Sequence, residues 1–299
     1  MNKGMGSSVG TFGELAQGER DGQPFLFTLP VPIKSRAVFV PDGLQGVRSH
    51  QSHKKKAVQA AELALERLRK NTGGMLYLSS QIPVGKGMAS SSADMTAAVR
   101  AVAASFGTSL PGADIAKIAA AIEPTDGVMY EGINAINQQT GELLHAYPNV
   151  PELFLLGYDS GGRLNTQRYY RMKRSYSPAE KADMKQLFDE LHQGLLSGDQ
   201  AAILSAATKS AALNDRLLSK PFFDLFADLA ATFGCGVIAG HSGTVIGLLF
   251  SKSDPRFLEK KEQAERIIEQ KTKWQPVFSA SVSGPSVAFG PKKAGLHQL

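Results

Sequence analysis

The sequence predicts an α+β protein made of two domains. Its 299 residues fit two domains of roughly 150 residues each. Hydrophobic residues make up 42% and charged residues 20%, which is typical of a folded globular protein. Strand and helix patterns interleave in both halves without a strict βαβ repeat, and this favours α+β over a doubly wound parallel sheet. We place the domains at 1–150 and 151–299, with the boundary near Pro148 and Pro151.

The spacing of apolar residues, together with proline and glycine, predicts the elements of the first half. Alternating apolar and polar stretches predict strands over 24–40 and 75–80. Apolar residues at helical spacing predict helices over 57–68, 91–106 and 112–122.

The second half is predicted in the same way and contains more helix. Its predicted strands lie at 153–158, 236–238, 245–250 and 275–281. Its predicted helices lie at 178–196, 200–218, 222–233 and 255–269.

Composition and charge exclude several classes of protein. A net charge of +6 fits a mildly basic enzyme with anionic substrates. The densest basic run, 53–56, has no interleaved aromatic residues and is expected to be a solvated helix end, so nucleic-acid binding rests on charge alone. The sequence contains no apolar run of about 18 residues, so no membrane-spanning helix is predicted. The first ten residues lack the apolar core of a secretory signal.

The chain has one cysteine, Cys235, which excludes an internal disulfide framework and a multi-cysteine zinc site. We expect a buried structural thiol there, a cytoplasmic location, and a monomer or homodimer.

A glycine- and serine-rich loop joins a predicted strand to a predicted helix. Gly85 and Gly87 let the backbone turn so that its amides face one point, and the helix N-terminus presents free N–H groups to the same point. The serines can cap the helix, contact phosphate or reach magnesium. The pattern predicts a phosphate-binding loop formed by Pro83, Gly85, Lys86, Gly87, Met88, Ala89, Ser90, Ser91 and Ser92.

Two other glycine patterns do not fit this loop. A Walker A loop needs glycine where Ser80 stands and serine or threonine where Gly87 stands. A dinucleotide-binding pattern needs glycine at the position of Ser90. An ordinary strand-to-helix turn with a serine cap remains the alternative.

The stretch Pro83-x-x-x-Gly-Met-Ala-Ser-Ser-Ser-Ala93 resembles the glycine-serine loop of the GHMP kinases, which include galactokinase, homoserine kinase and mevalonate kinase. The resemblance implies two α+β domains with the active site in the cleft between them. It also implies that the loop wraps the phosphates of ATP and that Ser91 lies near Mg²⁺.

Three further stretches resemble the L-threonine kinase branch of this family, which serves cobalamin biosynthesis. They are Gly10-Thr-Phe-Gly-Glu-Leu-Ala-Gln-Gly18, Glu123-Pro-Thr-Asp-Gly127 and Gly240-His-Ser-Gly-Thr-Val-Ile-Gly-Leu-Leu249. Phe12 stands where that branch is expected to carry cysteine.

Two carboxylates are the candidates for the chemistry of phosphate transfer. Glu123 and Asp126 are three residues apart at the end of a predicted helix, so they can share one face. One would bind magnesium and the other would orient the acceptor hydroxyl. We assign catalysis to Asp126, Glu123 and Ser91, and the metal to Ser91 and Glu123. The alternative is a helix-ending turn in which Asp126 bonds its own backbone.

Two segments are candidates for holding the acceptor. Glu14 and Gln17 lie in a glycine-rich stretch that we expect to be a turn, where a carboxylate can hold an ammonium or hydroxyl group. The second segment lies between two predicted strands and comprises Gly240, His241, Ser242, Gly243 and Thr244. The alternatives are a solvated carboxylate at Glu14 and a plain hairpin turn at 240–244.

The resemblance therefore implies a kinase that uses ATP and Mg²⁺ on the hydroxyl of a small amino acid, with L-threonine favoured. Kinases for serine, homoserine or another small alcohol remain open. A non-catalytic nucleotide- or metabolite-binding regulator on the same fold also remains open.

Overall fold

A computed structural model describes residues 2–162 and 176–282. Their contacts divide them into two compact units. Unit 1 comprises the described parts of Met1–Thr11, Gln17–Val84 and Met88–Val150. Unit 2 comprises the described parts of Phe12–Ala16, Gly85–Gly87 and Pro151–Leu299. The domain ranges 1–150 and 151–299 stay a prediction.

Unit 1 is a sheet covered by helices. Its strands are β1 (Gly4–Arg20, whose centre clusters with unit 2), β2 (Gln23–Pro41), β3 (Val47–Arg48), β4 (Gly74–Ser80), β5 (Ile133–Ile136) and β6 (Leu143–Tyr147). Its helices are α1 (Lys55–Arg67), α2 (Ser90–Ser105) and α3 (Gly112–Ala120). The strand order is β1-β2-β4-β3, β5 pairs with β2, and β6 pairs with β5.

The glycines of β1 explain how α2 packs in unit 1. A Cβ atom at Gly4 would lie 2.1 Å from the carbonyl oxygen of Ala101, and one at Gly6 would lie 2.2 Å from that of Ala97. The backbone of α2 therefore lies directly on the strand. The alanine-rich face of α2 is fully buried in the same core, which also takes the alanines of α1.

Unit 2 has an antiparallel sheet with helices packed on it. Its strands are β7 (Leu153–Asp159), β8 (Gly236–Ala239), β9 (Val245–Ser251) and β10 (Phe278–Ser281), in the order β10-β7-β9-β8. The Phe12–Ala16 part of β1 lies beside β8, with Glu14 opposite Ala239. The helices are α4 (Pro178–Ser197), α5 (Gln200–Asp215), α6 (Phe223–Phe233) and α7 (Phe257–Thr272).

Phe12 is a core residue of unit 2. Its side chain is fully buried, and its ring lies 6.0 Å from that of Phe278. A Cβ atom at Gly157 would lie 2.4 Å from the Phe12 ring, so the glycine makes room for it. The phenylalanine in place of the expected cysteine therefore has a packing role.

The α+β class predicted from the sequence is confirmed. All seven predicted helices correspond to helices of the structure, with ends shifted by a few residues. The expected turn around Glu14 and Gln17 is wrong, because both residues lie in β1. Strands β5 and β6 were not predicted. Glycine is a poor strand former, and β1 has five of them, so this strand exists through its pairing and packing rather than through propensity.

The described residues contain no helix that is long and apolar enough to cross a membrane. Cys235 is buried as predicted, and burial raises the pKa of its thiol to about 12.

Candidate functional site

The first turn of α2 carries the serines of the predicted phosphate loop. The helix begins at Ser90 after Ala89, whose φ of 58° is left-handed. No side chain caps this end, so the alternative of a serine cap is wrong. The free N–H groups of the first turn remain available to an anion.

In unit 1, the end of the loop is fixed against β1. The backbone N–H of Thr11 donates to the carbonyl of Met88 at 3.2 Å. A Cβ atom at Gly10 would lie 3.0 Å from the same carbonyl oxygen, so glycine allows this approach. The strand therefore holds the chain just before the serines.

Ser91 and Glu123 are in direct contact in unit 1. The Ser91 hydroxyl donates to Oε1 of Glu123, and the Lys56 ammonium donates to Oε2. The Glu123 side chain is 11% exposed and that of Lys56 is 31% exposed, so the group is accessible from solvent. The structure thus brings together the two residues predicted to hold metal, and it adds a cation.

Ser92 and Asp126 form a second pair beside the first. The Ser92 hydroxyl donates to Oδ2 of Asp126 at 2.9 Å and accepts from the Asp126 backbone N–H at 3.3 Å. The two bonds fix the carboxylate of a half-buried aspartate. Consecutive serines therefore hold the two candidate carboxylates.

The sequence predicts that Glu123 and Asp126 share one face of a helix. The structure shows that neither residue lies in a helix. Helix α3 ends at Ala120, and both residues lie in the segment that follows it, separated by Pro124 and Thr125. The turn is held by a bond from the Thr125 N–H to the Gln138 carbonyl at 2.9 Å. Their proximity comes from the turn and from α2.

Gln17 lies close to this turn. Its side-chain amide donates to Oε1 of Gln138 at 2.7 Å, and the backbone of Gln138 accepts from Thr125. Gln17 therefore contacts the residue that anchors the segment carrying Asp126. A role in holding the acceptor stays a prediction.

The basic run 53–56 is only in part a solvated helix end, because His53 and Lys55 are exposed whereas Lys54 and Lys56 are paired with carboxylates. The Lys54 ammonium pairs with Asp94, and the two side chains are only 12% and 6% exposed. Asp94 also accepts from the Ser35 hydroxyl at 2.5 Å. Lys54 thus forms an ion pair with Asp94 of α2, and Lys56 forms one with Glu123. The sequence did not predict these pairs because the partners are distant along the chain.

In unit 2, the residues 85–87 pack against the Gly240–Thr244 segment. The N–H groups of Thr244 and Val245 donate to the Lys86 carbonyl at 3.0 and 3.2 Å. A Cβ atom at Gly243 would lie 2.1 Å from the Lys86 carbonyl oxygen and from the Gly87 nitrogen. The glycine is therefore required by a close approach between two backbones, and the segment is more than a plain hairpin turn.

The Lys86 side chain is engaged within unit 2. Its ammonium lies 2.6 Å from Oδ2 of Asp159 and 2.6 Å from the carbonyl of Gly162. Thr244 donates to the other Asp159 oxygen at 2.7 Å. Burial raises the pKa of Asp159, but the bonds from Lys86 and Thr244 outweigh it and hold the pKa below its ordinary value. A phosphate contact from Lys86 stays a prediction.

Glu14 and His241 form a buried network in unit 2. Oε2 of Glu14 accepts from the His241 backbone N–H at 2.8 Å and lies 2.9 Å from Nδ1 of the ring. Nε2 of the ring lies 3.0 Å from the Ser210 hydroxyl. All three residues are at most 4% exposed, so Glu14 is not a solvated turn carboxylate. The network anchors the 240–244 segment to β1, and direct contacts of Glu14 and His241 with an acceptor stay predictions.

Lys220 is a buried cation near this network that sequence reasoning missed. It is 4% exposed, and its ammonium donates to the Leu218 carbonyl at 3.1 Å. Burial lowers the pKa of Lys220 to about 8, against the opposing effect of Glu14 and Asp215. A lone lysine beyond a helix end gives no sequence signal of burial.

The residues at Ser91 and Glu123 fit a magnesium ion. Both supply hard oxygen atoms, and the hydrogen bond between them shows that the atoms are adjacent. Magnesium keeps several waters and needs few protein ligands. Over 2–162 and 176–282, no cluster of three or more histidine, cysteine or acidic side chains is arranged to hold a metal.

Comparison with known sequences supports the motif resemblance. Residues 55–134 match the family of the GHMP kinases N terminal domain. The chain is 32% identical over 175 residues to an L-threonine kinase of Salmonella typhimurium, covering 58% of each protein. It is 32% identical over 180 residues to an L-threonine kinase of Citrobacter freundii, covering 59% of this chain and 62% of that protein. The matches span less than two thirds of these relatives.

Comparison with solved structures shows the fold. The homoserine kinase of Cytophaga hutchinsonii aligns with a TM-score of 0.70 at 15% identity, covering 90% of both chains. The Streptococcus pneumoniae phosphomevalonate kinase in complex with phosphomevalonate and AMPPNP aligns with a TM-score of 0.70 at 14% identity, covering 93% of this chain and 98% of that one. The fold is that of these kinases.

Proposed function

We propose that this chain, whose residues 55–134 form a GHMP kinase N-terminal domain, is an ATP-dependent kinase for the side-chain hydroxyl of L-threonine. The products are ADP and O-phospho-L-threonine. The observation that carries the proposal is the pairing of Ser91 with Glu123 and of Ser92 with Asp126 at the start of α2. A phosphate-binding helix end and two fixed carboxylates are what phosphate transfer to an alcohol requires.

The first turn of α2 binds the phosphates of ATP. Its free N–H groups and the positive end of the helix dipole attract anions, and the glycine loop before it lets the backbone approach closely. Ser91 and Glu123 would hold Mg²⁺, which supplies charge neutralisation at the phosphate oxygens when bound.

Asp126 orients the acceptor hydroxyl and takes its proton late in the transfer. An alcohol is a weak acid, so the carboxylate first accepts a hydrogen bond and receives the proton as the new O–P bond forms. Ser92 holds the carboxylate in place through its two bonds to Asp126. The division of roles between Glu123 and Asp126 is thus proposed from their serine partners.

L-Threonine is proposed as the acceptor because two relatives at 32% identity are L-threonine kinases. On the acceptor side we propose Glu14, Gln17 and the 240–244 segment. We propose a first domain over 1–150 that binds ATP, a second over 151–299, and a cytoplasmic location where ATP is available. The product would enter cobalamin biosynthesis.

A coupled assay of ADP release tests this function. Purified protein with MgATP would be offered L-threonine, D-threonine, L-serine, L-homoserine, aminopropanol and mevalonate, and ³¹P NMR would identify the product. Release of ADP with L-threonine alone, together with a phosphate ester on its side chain, is the expected result. Turnover with another member would keep the kinase and change its acceptor. ATP binding without turnover on any member would favour a regulator on the same fold.

A further inference from the structure

Lys56 forms a direct ion pair with Glu123, one of the two proposed metal ligands in unit 1. Its ammonium donates to one oxygen of Glu123, while Ser91 donates to the other. Lys56 and Ser91 therefore both bond to the same carboxylate, that of Glu123. The lysine side chain is 31% exposed, so its ammonium can exchange partners with a ligand that arrives from solvent.

The proposed reaction needs a positive charge at the phosphate that is transferred. Negative charge lies on the terminal phosphate of ATP throughout the transfer, and a lysine is a common partner for it. Two other lysines, one in the loop itself and one paired with α2, already have carboxylate partners. Lys86 is paired with Asp159 and with the Gly162 carbonyl, and Lys54 is paired with the buried Asp94.

A metal ion held by Glu123 would compete with Lys56 for the same carboxylate. Each carboxylate oxygen of Glu123 already accepts a hydrogen bond, one from Lys56 and one from Ser91. An ammonium and a dication on the same carboxylate repel one another. A flexible lysine side chain relieves this repulsion by turning its ammonium to an anion beside the metal, and the terminal phosphate is such an anion.

We propose, on the basis of the proposed function, that Lys56 binds the terminal phosphate of ATP. Without nucleotide, Lys56 balances the charge of Glu123. With nucleotide, its ammonium exchanges the Glu123 oxygen for a phosphate oxygen. The ammonium keeps its proton throughout, so no bond is broken and the exchange involves hydrogen-bond acceptors alone.

Nucleotide binding without turnover tests this role. Isothermal titration calorimetry would measure the Kd of AMPPNP and of ADP, with Mg²⁺ and without an acceptor, for wild type and Lys56→Met. AMPPNP carries the terminal phosphate and ADP does not. We expect about a tenfold rise in the Kd of AMPPNP, because a charged hydrogen bond is lost, and a change within about twofold for ADP.

Three further variants separate charge from structure. Lys56→Gln can still donate to Glu123 but has no charge, and it should lose AMPPNP affinity as Lys56→Met does. Lys56→Arg keeps the charge and should retain most of the preference for AMPPNP over ADP. Lys55→Met removes an exposed lysine next along the same helix and should match wild type. Thermal melting would establish that each variant is folded.

An unchanged ratio of the two Kd values in Lys56→Gln would overturn the proposal, as would equal weakening of both nucleotides. A wild-type protein that binds AMPPNP more tightly than ADP but phosphorylates no acceptor would refute the kinase function, while the effect of Lys56→Gln on that preference would still support the phosphate contact. A wild type that binds neither nucleotide would overturn both.

Discussion

At the scale of single residues, two serines at the start of α2 each select one carboxylate. The Ser91 hydroxyl donates to Glu123, which also accepts from the Lys56 ammonium, and the Ser92 hydroxyl donates to Asp126. A carboxylate beside a serine and a cation suits a metal and phosphates. A carboxylate held by a serine through side chain and backbone suits the orientation of a hydroxyl. We therefore expect substitutions at the Glu123–Ser91 pair and at Asp126 to have different kinetic effects.

Asp126→Asn should lower kcat by about 10²-fold or more, because the amide cannot accept the proton of the acceptor. The Kd of ATP should change by less than about twofold, since the first turn of α2, and not Asp126, is proposed to bind the phosphates. Steady-state kinetics and calorimetry would measure both values. Asp114→Asn, which removes the half-buried partner of the exposed Arg67, is the control and should keep wild-type kinetics. Near-native kcat in Asp126→Asn would remove Asp126 from the chemistry.

Ser91→Ala should raise the Mg²⁺ concentration needed for half-maximal turnover. The variant loses one of two proposed oxygen ligands, and weakening of about tenfold corresponds to about 1.4 kcal/mol. A titration of Mg²⁺ at fixed ATP would measure the shift. Ser105→Ala, at the other end of the same helix, provides the matched control. If the only effect were on the KM of the acceptor, Ser91 would belong to the acceptor side instead.

At the scale of elements, glycines decide where backbones can meet. In unit 2, the backbone N–H groups of Thr244 and Val245 donate to the Lys86 carbonyl, and Gly243 has no room for a side chain. In unit 1, Gly4 and Gly6 place α2 on β1 in the same way. Within each unit, glycine therefore allows two backbones to come closer than any side chain would permit.

Gly243→Ala should destabilise the protein by about 3 kcal/mol or more, because the new methyl group overlaps the backbone of Lys86 and Gly87. Urea unfolding would measure the loss. Gly198→Ala is the control, since its Cβ meets no atom within 4 Å and only the positive φ of 73° opposes it. That control should cost about 1–2 kcal/mol. Equal losses in the two variants would show that the close approach at Gly243 is absent in solution.

At the scale of the whole molecule, the buried charge of Lys220 links stability to pH. The pKa of Lys220 is lowered from 10.5 to about 8, so the folded state loses this proton at lower pH than the unfolded state does. Between those values the unfolded state binds more protons, and the free energy of unfolding therefore rises with pH. Below pH 8 the unfavourable contribution is complete and constant.

We expect Lys220→Met to remove this rise. Urea unfolding at intervals from pH 7.5 to 10.5 would give the free energy of unfolding of both proteins, and the difference between them isolates Lys220 from other titrating groups. Lys209→Met, at an exposed lysine paired with Glu190, should keep the wild-type slope. The same slope in wild type and Lys220→Met would contradict the burial of a charged ammonium.

The sequence predicted the helices well because their apolar spacing is local and strong. It predicted β1 poorly, because Gly4–Arg20 contains five glycines and becomes a strand only through packing on α2 and pairing with neighbours. It also missed Asp159 and Lys54, whose partners Lys86 and Asp94 are 73 and 40 residues away along the chain.

The sequence by itself determined the α+β class, the helices found over 2–162 and 176–282, and the glycine-serine loop with the carboxylates of the Glu123–Gly127 stretch. These follow from local spacing and from residue types whose chemistry is known wherever they fold. Only the tertiary structure decided which serine meets which carboxylate, that Lys56 joins Glu123, and that Glu14 is buried against His241. Those pairings join residues that are distant along the chain, and their geometry depends on how strands and helices pack in three dimensions.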